Sequence, residues 1–443
     1  MMVSKSSQPH LQAFTNHHTN FKAQGMRKTE FNRTDLTNEL HARPALPLDG
    51  EMNVHHLAFM GGMDEGQKAG TDLFDQMGII LPSGGMRHQT ITHRDVLIKW
   101  EQHTEFFTVT VHEPANGTMF ERSKTLPTQW IDELEDHRVV DMRLCLRKSN
   151  DMEHGLPTKF QTIFDLSSLC GVSVAKNVAT YFTDFRLHGS DLATHHLVLD
   201  HGMSAFQAGR NVLRIVEIET YRVMAMIGYQ HARQIALELA DAERRLVRLT
   251  ELMGREENTK EARELLDEVT ELSATTEKLN AGSSFRFGAS RAYSSIVMER
   301  IGSLREERLM TYRSLTGFMD RRFMPSIRTI ESYHDRIDKL AERLGRTANL
   351  LRTRVDVNLE EQNSKLLQSM EKRAGLQLRL QQTVEGLSVI AISYYAVSLF
   401  GYLAIPIAKN TNLDPKILTG FAAIPILLLV ILLTRRVRKR LER

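Results

Sequence analysis

The feature that most constrains this chain is an uncharged apolar stretch near its carboxyl end. Residues 387–408 contain no charged side chain, and at 1.5 Å per residue a helix of this length extends about 30 Å, the thickness of a membrane's hydrocarbon core. A second apolar segment, residues 417–433, follows the short polar loop KNTNLDPK and is near the lower length limit for a spanning helix. The segment 387–433 therefore predicts a transmembrane helical hairpin.

Basic residues outside the hairpin predict its orientation, because Lys and Arg near the ends of spans are retained on the cytoplasmic side. The connecting loop has only Lys409 and Lys416, partly offset by Asp414. The tail at 434–443 is rich in cations: Arg435, Arg436, Arg438, Lys439 and Arg440. We expect two spans with both termini in the cytosol. The tail is interpreted as a stop-transfer anchor, with binding of anionic lipid or nucleic acid as the alternative, and no nucleic-acid partner is expected.

Residues 326–386 predict one long stalk helix that leads into the first span. The part from 326 to 384 has no proline and only two glycines, and its apolar residues recur at helical spacing. The spacing mixes seven-residue and eleven-residue repeats, which favour opposite superhelical winding. A nearly straight coiled coil is therefore expected, and with it a homo-oligomer.

Residues 204–325 predict a helical region that packs against the stalk. Ser204 and Gln207 have the spacing of a capping box at the start of a helix that ends near Met253. A second helix is expected over 258–279, with NAGSS as its break, and a third over 289–316.

Four polar residues recur three or four positions apart on one face of the first of these helices. They are Arg210, Arg214, Glu217 and Tyr221. Side chains at this spacing meet naturally, so the pattern favours an ion-pair and hydrogen-bond network, with a ligand site as the alternative.

Residues 36–203 have the pattern of a cytosolic α/β domain, preceded by a polar, flexible arm at 1–35. Residues 139–146 alternate apolar and polar side chains, which predicts a half-buried strand. Further strands are expected at 91–100, 106–112, 172–176, 178–185 and 195–199, and helices at 64–76 and 127–136. The fold class is therefore α+β: this domain, a helical bundle with a very long stalk helix, and a two-helix transmembrane hairpin.

The chain lacks a motif for familiar enzyme chemistry. Residues 61–68 depart from a phosphate-binding loop because Gln67 separates Gly66 from Lys68. Adjacent histidines such as His195 and His196 face opposite sides of a strand, which favours ordinary strand histidines over a metal site. We expect a protein that is not an enzyme, with no cofactor and no catalytic or metal-binding residues.

The first span carries a row of hydroxyl groups on one helix face: Ser388, Tyr395, Ser398 and Tyr402. The row favours hydrogen bonding between helices together with tyrosines at the membrane interface. The alternative, in an oligomer with this helix on the axis, is that Ser388, Tyr395, Ser398 and Tyr402 line a pore.

The heptad Asn38-Glu-Leu-His-Ala-Arg-Pro44 resembles the N-E-L/V-H-A-R-P motif of a bacterial family of uncharacterised, predicted membrane-anchored proteins. Further resemblance lies in His56-Leu-Ala, Gln207-Ala-Gly-Arg210 and Glu217-Ile-Glu-Thr-Tyr-Arg222. The resemblance implies the inner membrane of a bacterium and supplies no catalytic residue. Within the heptad, His41 and Arg43 favour docking of the arm onto the domain, with contact to a partner or an anion as the alternative.

The order of the segments more remotely resembles the CorA magnesium-transporter superfamily, whose members are pentamers. That family carries Gly-Met-Asn after its first span, where this chain has Lys409-Asn-Thr-Asn412. Our leading hypothesis is a membrane-anchored oligomeric scaffold or regulator in contact with the bilayer and an unidentified cytosolic partner. The alternative is a CorA-like divalent-cation channel or transporter, for which a pentamer would be expected.

Overall fold

The computed structural model describes Thr37 and residues 44–80, 87–149, 155–254, 259–411 and 414–441. The chain divides into two compact units. The first comprises Met1–Leu237 and Leu279–Arg336, and the second comprises Glu238–Lys278 and Ile337–Arg443. The predicted arm at 1–35 and the residues His41 and Arg43 lie outside the described residues.

The first unit is built on a mixed sheet, which has nine strands among the described residues. They are β1 (Met52–Met60), β2 (His88–His93), β3 (Val96–Gln102), β4 (Phe106–Pro114), β5 (Arg138–Lys148), β6 (Cys170–Val174), β7 (Ala179–His188), β8 (Ala193–Asp200) and β9 (Glu307–Arg308). Their order is β2-β3-β4-β1-β5-β8-β7-β6-β9. The pair β5 and β8 is parallel, and the other neighbours in this order are antiparallel.

Short helices cover one face of this sheet. They are α1 (Met63–Gln76), α2 (Thr128–Glu133), a 3₁₀ turn (Glu135–His137) and α3 (Thr158–Gln161). A core of aromatic and aliphatic side chains lies beneath α1 and α2, and the indole N–H of Trp130 donates to the Ala69 carbonyl at 2.9 Å. The strand predicted at 139–146 is confirmed as part of β5, but the prediction that it is half-buried is wrong, because β5 is buried on both faces. Its polar side is covered too, and its charges pair with one another.

The sheet contains two strands where one was predicted over 91–100. β2 and β3 form a hairpin whose turn residues, Arg94 and Asp95, have φ values of 50° and 67°. Tight hairpin turns favour such positive φ values, but they usually signal themselves by Asn-Gly or Asp-Gly. The central strand β1 was not predicted, because its apolar residues surround His55 and His56 without a strict alternation.

Two long helices follow the sheet, α4 (Ala205–Met253) and α5 (Thr259–Leu304). The capping box is confirmed, since the Gln207 backbone N–H donates to Ser204 Oγ at 3.4 Å and the Ser204 N–H donates to Gln207 Oε1 at 2.9 Å. The predicted break at NAGSS and the third helix to Thr316 are wrong. Within that segment of α5, Ser283 is buried and lies 3.0 Å from His231 Nε2, so tertiary packing stabilises weak helix formers.

The long carboxyl-terminal helix is confirmed. A short helix α6 (Leu315–Phe318) and a π turn (Met319–Phe323) lead into α7 (Met324–Thr411), and α8 (Pro415–Leu441) follows. Pro325 lies in the first turn of α7, where its missing N–H is tolerated.

Within the second unit, α7 changes its environment along its length. Ile337, Leu344, Leu351 and Val355 are buried in this unit, as are apolar residues of the segment Glu238–Lys278. From residue 360 to 384, by contrast, every residue of α7 is exposed.

Candidate functional site

Two helical stretches are long and apolar enough to cross a membrane, Leu315–Leu403 and Lys416–Val437. Only 6% of the most apolar window of each is buried. Large apolar side chains in these stretches face outward, with Ile390 70% exposed and Phe421 80% exposed. These most apolar windows therefore differ from the core helix of a water-soluble protein, whose apolar residues are mostly buried.

Small residues mark where α7 and α8 approach each other in this hairpin. Ser393 is only 4% exposed. A Cβ atom on Gly401 would lie 3.5 Å from Thr419 Cγ2, which is ordinary contact. Small side chains at such a contact allow two membrane helices to pack closely.

The four hydroxyl residues of the predicted stripe lie on the side of α7 opposite Ser393, as the helical repeat of 100° per residue requires. Tyr395 and Tyr402 are 71% and 73% exposed, and Ser398 is partly buried. The Ser388 hydroxyl donates to the Val384 carbonyl at 2.8 Å within its own helix. The stripe is therefore available to lipid, to another subunit or to an aqueous path, and its pore-lining role stays a prediction.

The basic tail, which was predicted to orient the hairpin in the membrane, begins as part of helix α8. Arg435 and Arg436 are exposed residues of α8. Arg438, Lys439 and Arg440 continue the backbone of α8, but their side chains lie outside the described part of the structure.

A belt of charged groups crosses one face of the sheet where β1 meets β5. His55 Nδ1 accepts the Ser123 backbone N–H at 3.3 Å, so its Nε2–H donates to Asp141 Oδ1 at 3.2 Å. Arg138 donates to Asp141 Oδ2 at 2.7 Å, and Arg143 Nε lies 3.4 Å from Oδ1. Burial alone would raise the pKa of Asp141, but the hydrogen bond from His55 and the two arginines lower it.

This belt has the residue types of a catalytic site without the required geometry. Both ring nitrogens of His55 are engaged, so the ring does not accept a proton from a nucleophile. The Ser123 hydroxyl donates to the Glu113 carboxylate instead. Burial raises the pKa of the nearby Cys145 thiol, which keeps it protonated.

The opposite face of the sheet meets α4 through a second polar network. The Thr220 hydroxyl donates to the Val216 carbonyl at 2.8 Å, so it accepts the Nε2–H of His56 at 2.9 Å. His56 Nδ1 then accepts the hydroxyl of Thr110 at 2.8 Å. Burial, reinforced by the neighbouring His55, lowers the pKa of His56 to about 3. The ring is a neutral bridge between strand and helix.

Glu219, which is 1% exposed, accepts two hydrogen bonds from Arg222 at 3.0 and 2.7 Å on the same side of the sheet. Nearby, His196 Nδ1 lies 2.7 Å from the Tyr181 hydroxyl. His195 points to the other face and stacks on Phe120, so the two histidines separate as strand alternation predicts. Within the described ranges, no three His, Cys, Asp or Glu side chains come together as metal ligands.

A family model described as "Protein of unknown function (DUF3422)" matches residues 28–441. The chain belongs to the DUF3422 family. No curated protein matches it.

In this DUF3422 chain, the motif Gln207-Ala-Gly-Arg210 is where an extended segment crosses α4. We call residues 44–48 the strap. The Leu48 N–H donates to the Ala205 carbonyl at 3.0 Å. A Cβ atom on Gly209 would lie 1.7 Å from the Leu46 carbonyl oxygen, so only glycine permits this approach. The heptad that ends at Pro44 thus leads directly into a packed segment of the DUF3422 fold.

The face with Arg210, Arg214, Glu217 and Tyr221 does not form one network. Glu217 pairs with Arg300 across to α5. Tyr221 stacks on Tyr293 with ring centroids 5.4 Å apart, at a cavity of about 460 Å³ that Phe106 also lines. Helical spacing placed these residues on one side of α4, but the partners come from elements distant in sequence, which spacing does not reveal.

Proposed function

We propose that this protein is a membrane-anchored, oligomeric scaffold or regulator of the bacterial inner membrane, with both termini and the sheet-containing unit in the cytosol. The observation that carries the proposal is the hairpin of α7 and α8, whose apolar side chains face outward. In water, this exposed surface would be unstable; in lipid it is matched by its surroundings. The cations at Arg435 and Arg436, together with those that follow, favour a cytosolic tail.

The exposed segment of α7 supports the oligomeric part of the proposal. Between 360 and 384 no residue is buried, yet apolar side chains such as Leu366, Met370 and Leu380 are 59–67% exposed. An isolated helix in water gains little from propensity alone, and most helices are stabilised by packing of an apolar face. Packing of this segment against the same segment of other subunits would bury its apolar face.

Anchoring and topology are tested together in cells. We expect the full-length protein to stay in the membrane pellet after carbonate extraction at high pH. A cysteine placed at Arg436 should react with a membrane-impermeant maleimide only after the cells are opened, whereas one at Asn412, in the loop, should react in intact spheroplasts. Release by carbonate, or a tail that reacts from outside, contradicts the proposal.

Oligomerisation is tested by cysteine crosslinking along the exposed segment. Met370→Cys should give crosslinked species in native membranes, because Met370 lies on the same exposed apolar face of α7 as Leu366 and Leu380. Arg346→Cys is the matched control, since Arg346 lies on the same helix and pairs with Glu342 on its exposed surface. Equal crosslinking at both positions, or none at Met370, contradicts assembly through this segment.

The alternative, a CorA-like cation channel, draws its support from the exposed hydroxyl stripe opposite Ser393. Purified protein in liposomes is assayed for flux of magnesium, cobalt or potassium. A channel predicts selective flux that Ser398→Leu abolishes and that Leu403→Val, a lipid-facing change, leaves intact. No flux from a verified oligomer excludes the channel and leaves the scaffold.

A further inference from the structure

A cavity lined by cations lies where the amino-terminal part of α4, the β6–β7 turn and the end of α5 meet. Its volume is about 360 Å³, and it lies wholly within the first unit. Four of its lining residues are basic: Lys176, Arg210, Arg214 and Arg305. Among the residues that the structure describes, no acidic side chain lines it.

The nearest acidic side chains are already engaged elsewhere. Glu217 is paired with Arg300, and Glu307 accepts the Asn177 side-chain amide at 2.8 Å. The Glu306 carboxylate accepts the backbone N–H groups of Leu315 and Thr316 at the start of α6. None of these carboxylates lines the cavity, and only Glu217 forms an ion pair, so within the described part of the chain no carboxylate pairs with the cavity cations.

Repulsion and burial act on the cations themselves. Arg210, Lys176 and Arg305 are exposed and form no ion pair within the described ranges, and Arg214 is partly buried. Burial, followed by the charges of Arg210 and Arg300, lowers the pKa of the Arg214 guanidinium. Like charges held together without a counter-ion destabilise a fold. The stability of the folded protein therefore does not explain why these cations lie together.

The backbone holds these side chains in place at some energetic cost. Ala175, Lys176 and Asn177 have consecutive positive φ values of 56°, 63° and 66°, and Arg305 has 51°. Left-handed conformations are unfavourable for residues with a Cβ atom. The turn is fixed by the Asn177 contact to Glu307 and by a hydrogen bond from the Ser173 hydroxyl to the Asn177 side chain at 2.6 Å. Lys176 is thereby held at the rim of the cavity.

We propose that this cavity binds a phosphate-bearing anion, with the guanidinium groups of Arg210, Arg214 and Arg305 as the phosphate contacts and Lys176 as a further cation. Two arginines on α4 and one after α5, with Lys176 from the β6–β7 turn, suit a phosphate, whose several oxygens accept bidentate hydrogen bonds from guanidinium groups. Gln207, Asn211 and Ser303 also line the cavity. The Asn211 side chain accepts a hydrogen bond from Arg214 at 3.4 Å and donates to the Gln207 carbonyl at 2.9 Å, so it positions the Arg214 guanidinium. The phosphate belongs either to a soluble organic phosphate or to a lipid headgroup.

The test uses the full-length protein in nanodiscs of phosphatidylcholine, with two arms. In the first, pyrophosphate is titrated by calorimetry at constant ionic strength. In the second, the same nanodiscs are co-floated with vesicles containing 30% phosphatidylglycerol. Binding in the first arm alone identifies a soluble ligand, and binding in the second alone identifies a headgroup. Either supports the proposal only if it depends on the cavity arginines.

Each of Arg210→Ser, Arg214→Ser and Arg305→Ser should weaken binding roughly tenfold, the effect of losing one charge-assisted hydrogen-bonded contact. Arg233→Ser is the matched control and should bind as the wild type does. Arg233 is an exposed residue of α4, about 35 Å along the helix from Arg210. Arg210→Ser should also leave the melting temperature unchanged or higher, which separates a ligand contact from a structural one.

Two outcomes overturn the proposal. One is an absence of binding in both arms by protein whose melting temperature and oligomeric state are those of the wild type. The other is binding that survives the three substitutions combined, or that Arg233→Ser weakens equally, because the attraction would then come from the net charge of the protein rather than from this cavity.

Discussion

Gly209→Ala tests whether the strap at 44–48 is held to α4 by a contact that only glycine permits. The new Cβ atom would lie 1.7 Å from the Leu46 carbonyl oxygen, whereas real Cβ contacts stay above 3.0 Å. The strap must therefore move by about 1.3 Å or detach. Because Leu46 contributes backbone rather than a flexible side chain at this point, the clash is not relieved by a change of rotamer.

The magnitude follows from what the strap contributes. Leu48 is only 4% exposed, and burial of a leucine side chain is worth about 1.5–3 kcal/mol. Its N–H bond to Ala205 adds about 1 kcal/mol. Alanine gains up to about 1 kcal/mol over glycine inside a helix. The net destabilisation is about 1.5–3 kcal/mol, or roughly 2–5 °C in the melting temperature of a unit of about 295 residues.

The assay is thermal unfolding of the full-length protein in detergent, combined with hydrogen exchange at the Leu48 amide. We expect a lower melting temperature and faster exchange at Leu48. Gly282→Ala is the control, because Gly282 is an exposed residue of α5 whose added Cβ would meet nothing within 4 Å. It should stabilise the protein by up to about 1 kcal/mol. If Gly209→Ala behaves like Gly282→Ala, the strap is not held as described.

Two further predictions concern the buried polar groups. Asp141→Asn leaves the arginines beside it without their counter-charge and should cost about 3–5 kcal/mol in urea unfolding, whereas Asp132→Asn, at an exposed ion pair, should change stability by less than about 1 kcal/mol. His56, His112 and His196 have pKa values lowered by burial to about 3, 4 and 4, from 6.5. Between about pH 4 and 6.5, the unfolded chain therefore binds more protons than the folded chain. The stability that the neutral histidines contribute is fully present above about pH 6.5. We expect the free energy of unfolding to fall by about 4 kcal/mol from about pH 7 to about pH 5.5. His56→Gln should remove about one third of that pH dependence, and a slope unchanged by the substitution contradicts the assignment of His56 as a neutral buried ring.

Long-range periodicity made the helices and the hairpin predictable. The uncharged length of 387–408 and the helical spacing of apolar residues before it can be recognised from the local sequence alone. The helix α7 is continuous through both segments. The two helices α4 and α5 were harder, because Asn280 and the residues after it are weak helix formers that tertiary contacts hold in a helix. Local sequence does not report those contacts.

Several strands of the sheet were predicted individually, but the central strand β1 and the assembly of the sheet were not. β1 lies at its centre and pairs with β4 and β5, yet its sequence contains two adjacent histidines, which appear polar until their partners are known. Thr110, Thr220 and Asp141 are distant from them in sequence, and no local spacing connects these groups. Of the candidate anion site, Arg210 and Arg214 lie in the row for which a ligand site was the alternative interpretation. Lys176 and Arg305 were missed, because they come from the β6–β7 turn and the end of α5.

The buried charges and the cavity cations call for different explanations. Asp141 and Glu219 accept hydrogen bonds from neighbouring arginines, so their negative charges are balanced within the protein. No external molecule is needed to explain why these carboxylates are buried. Arg210, Arg214 and Arg305 form no ion pair among the described residues, and the Arg214 guanidinium donates only to the Asn211 side-chain oxygen, at 3.4 Å. The contrast between the paired charges of the sheet and these unpaired cations, within the described part of the chain, supports the proposal that a ligand supplies the counter-charge.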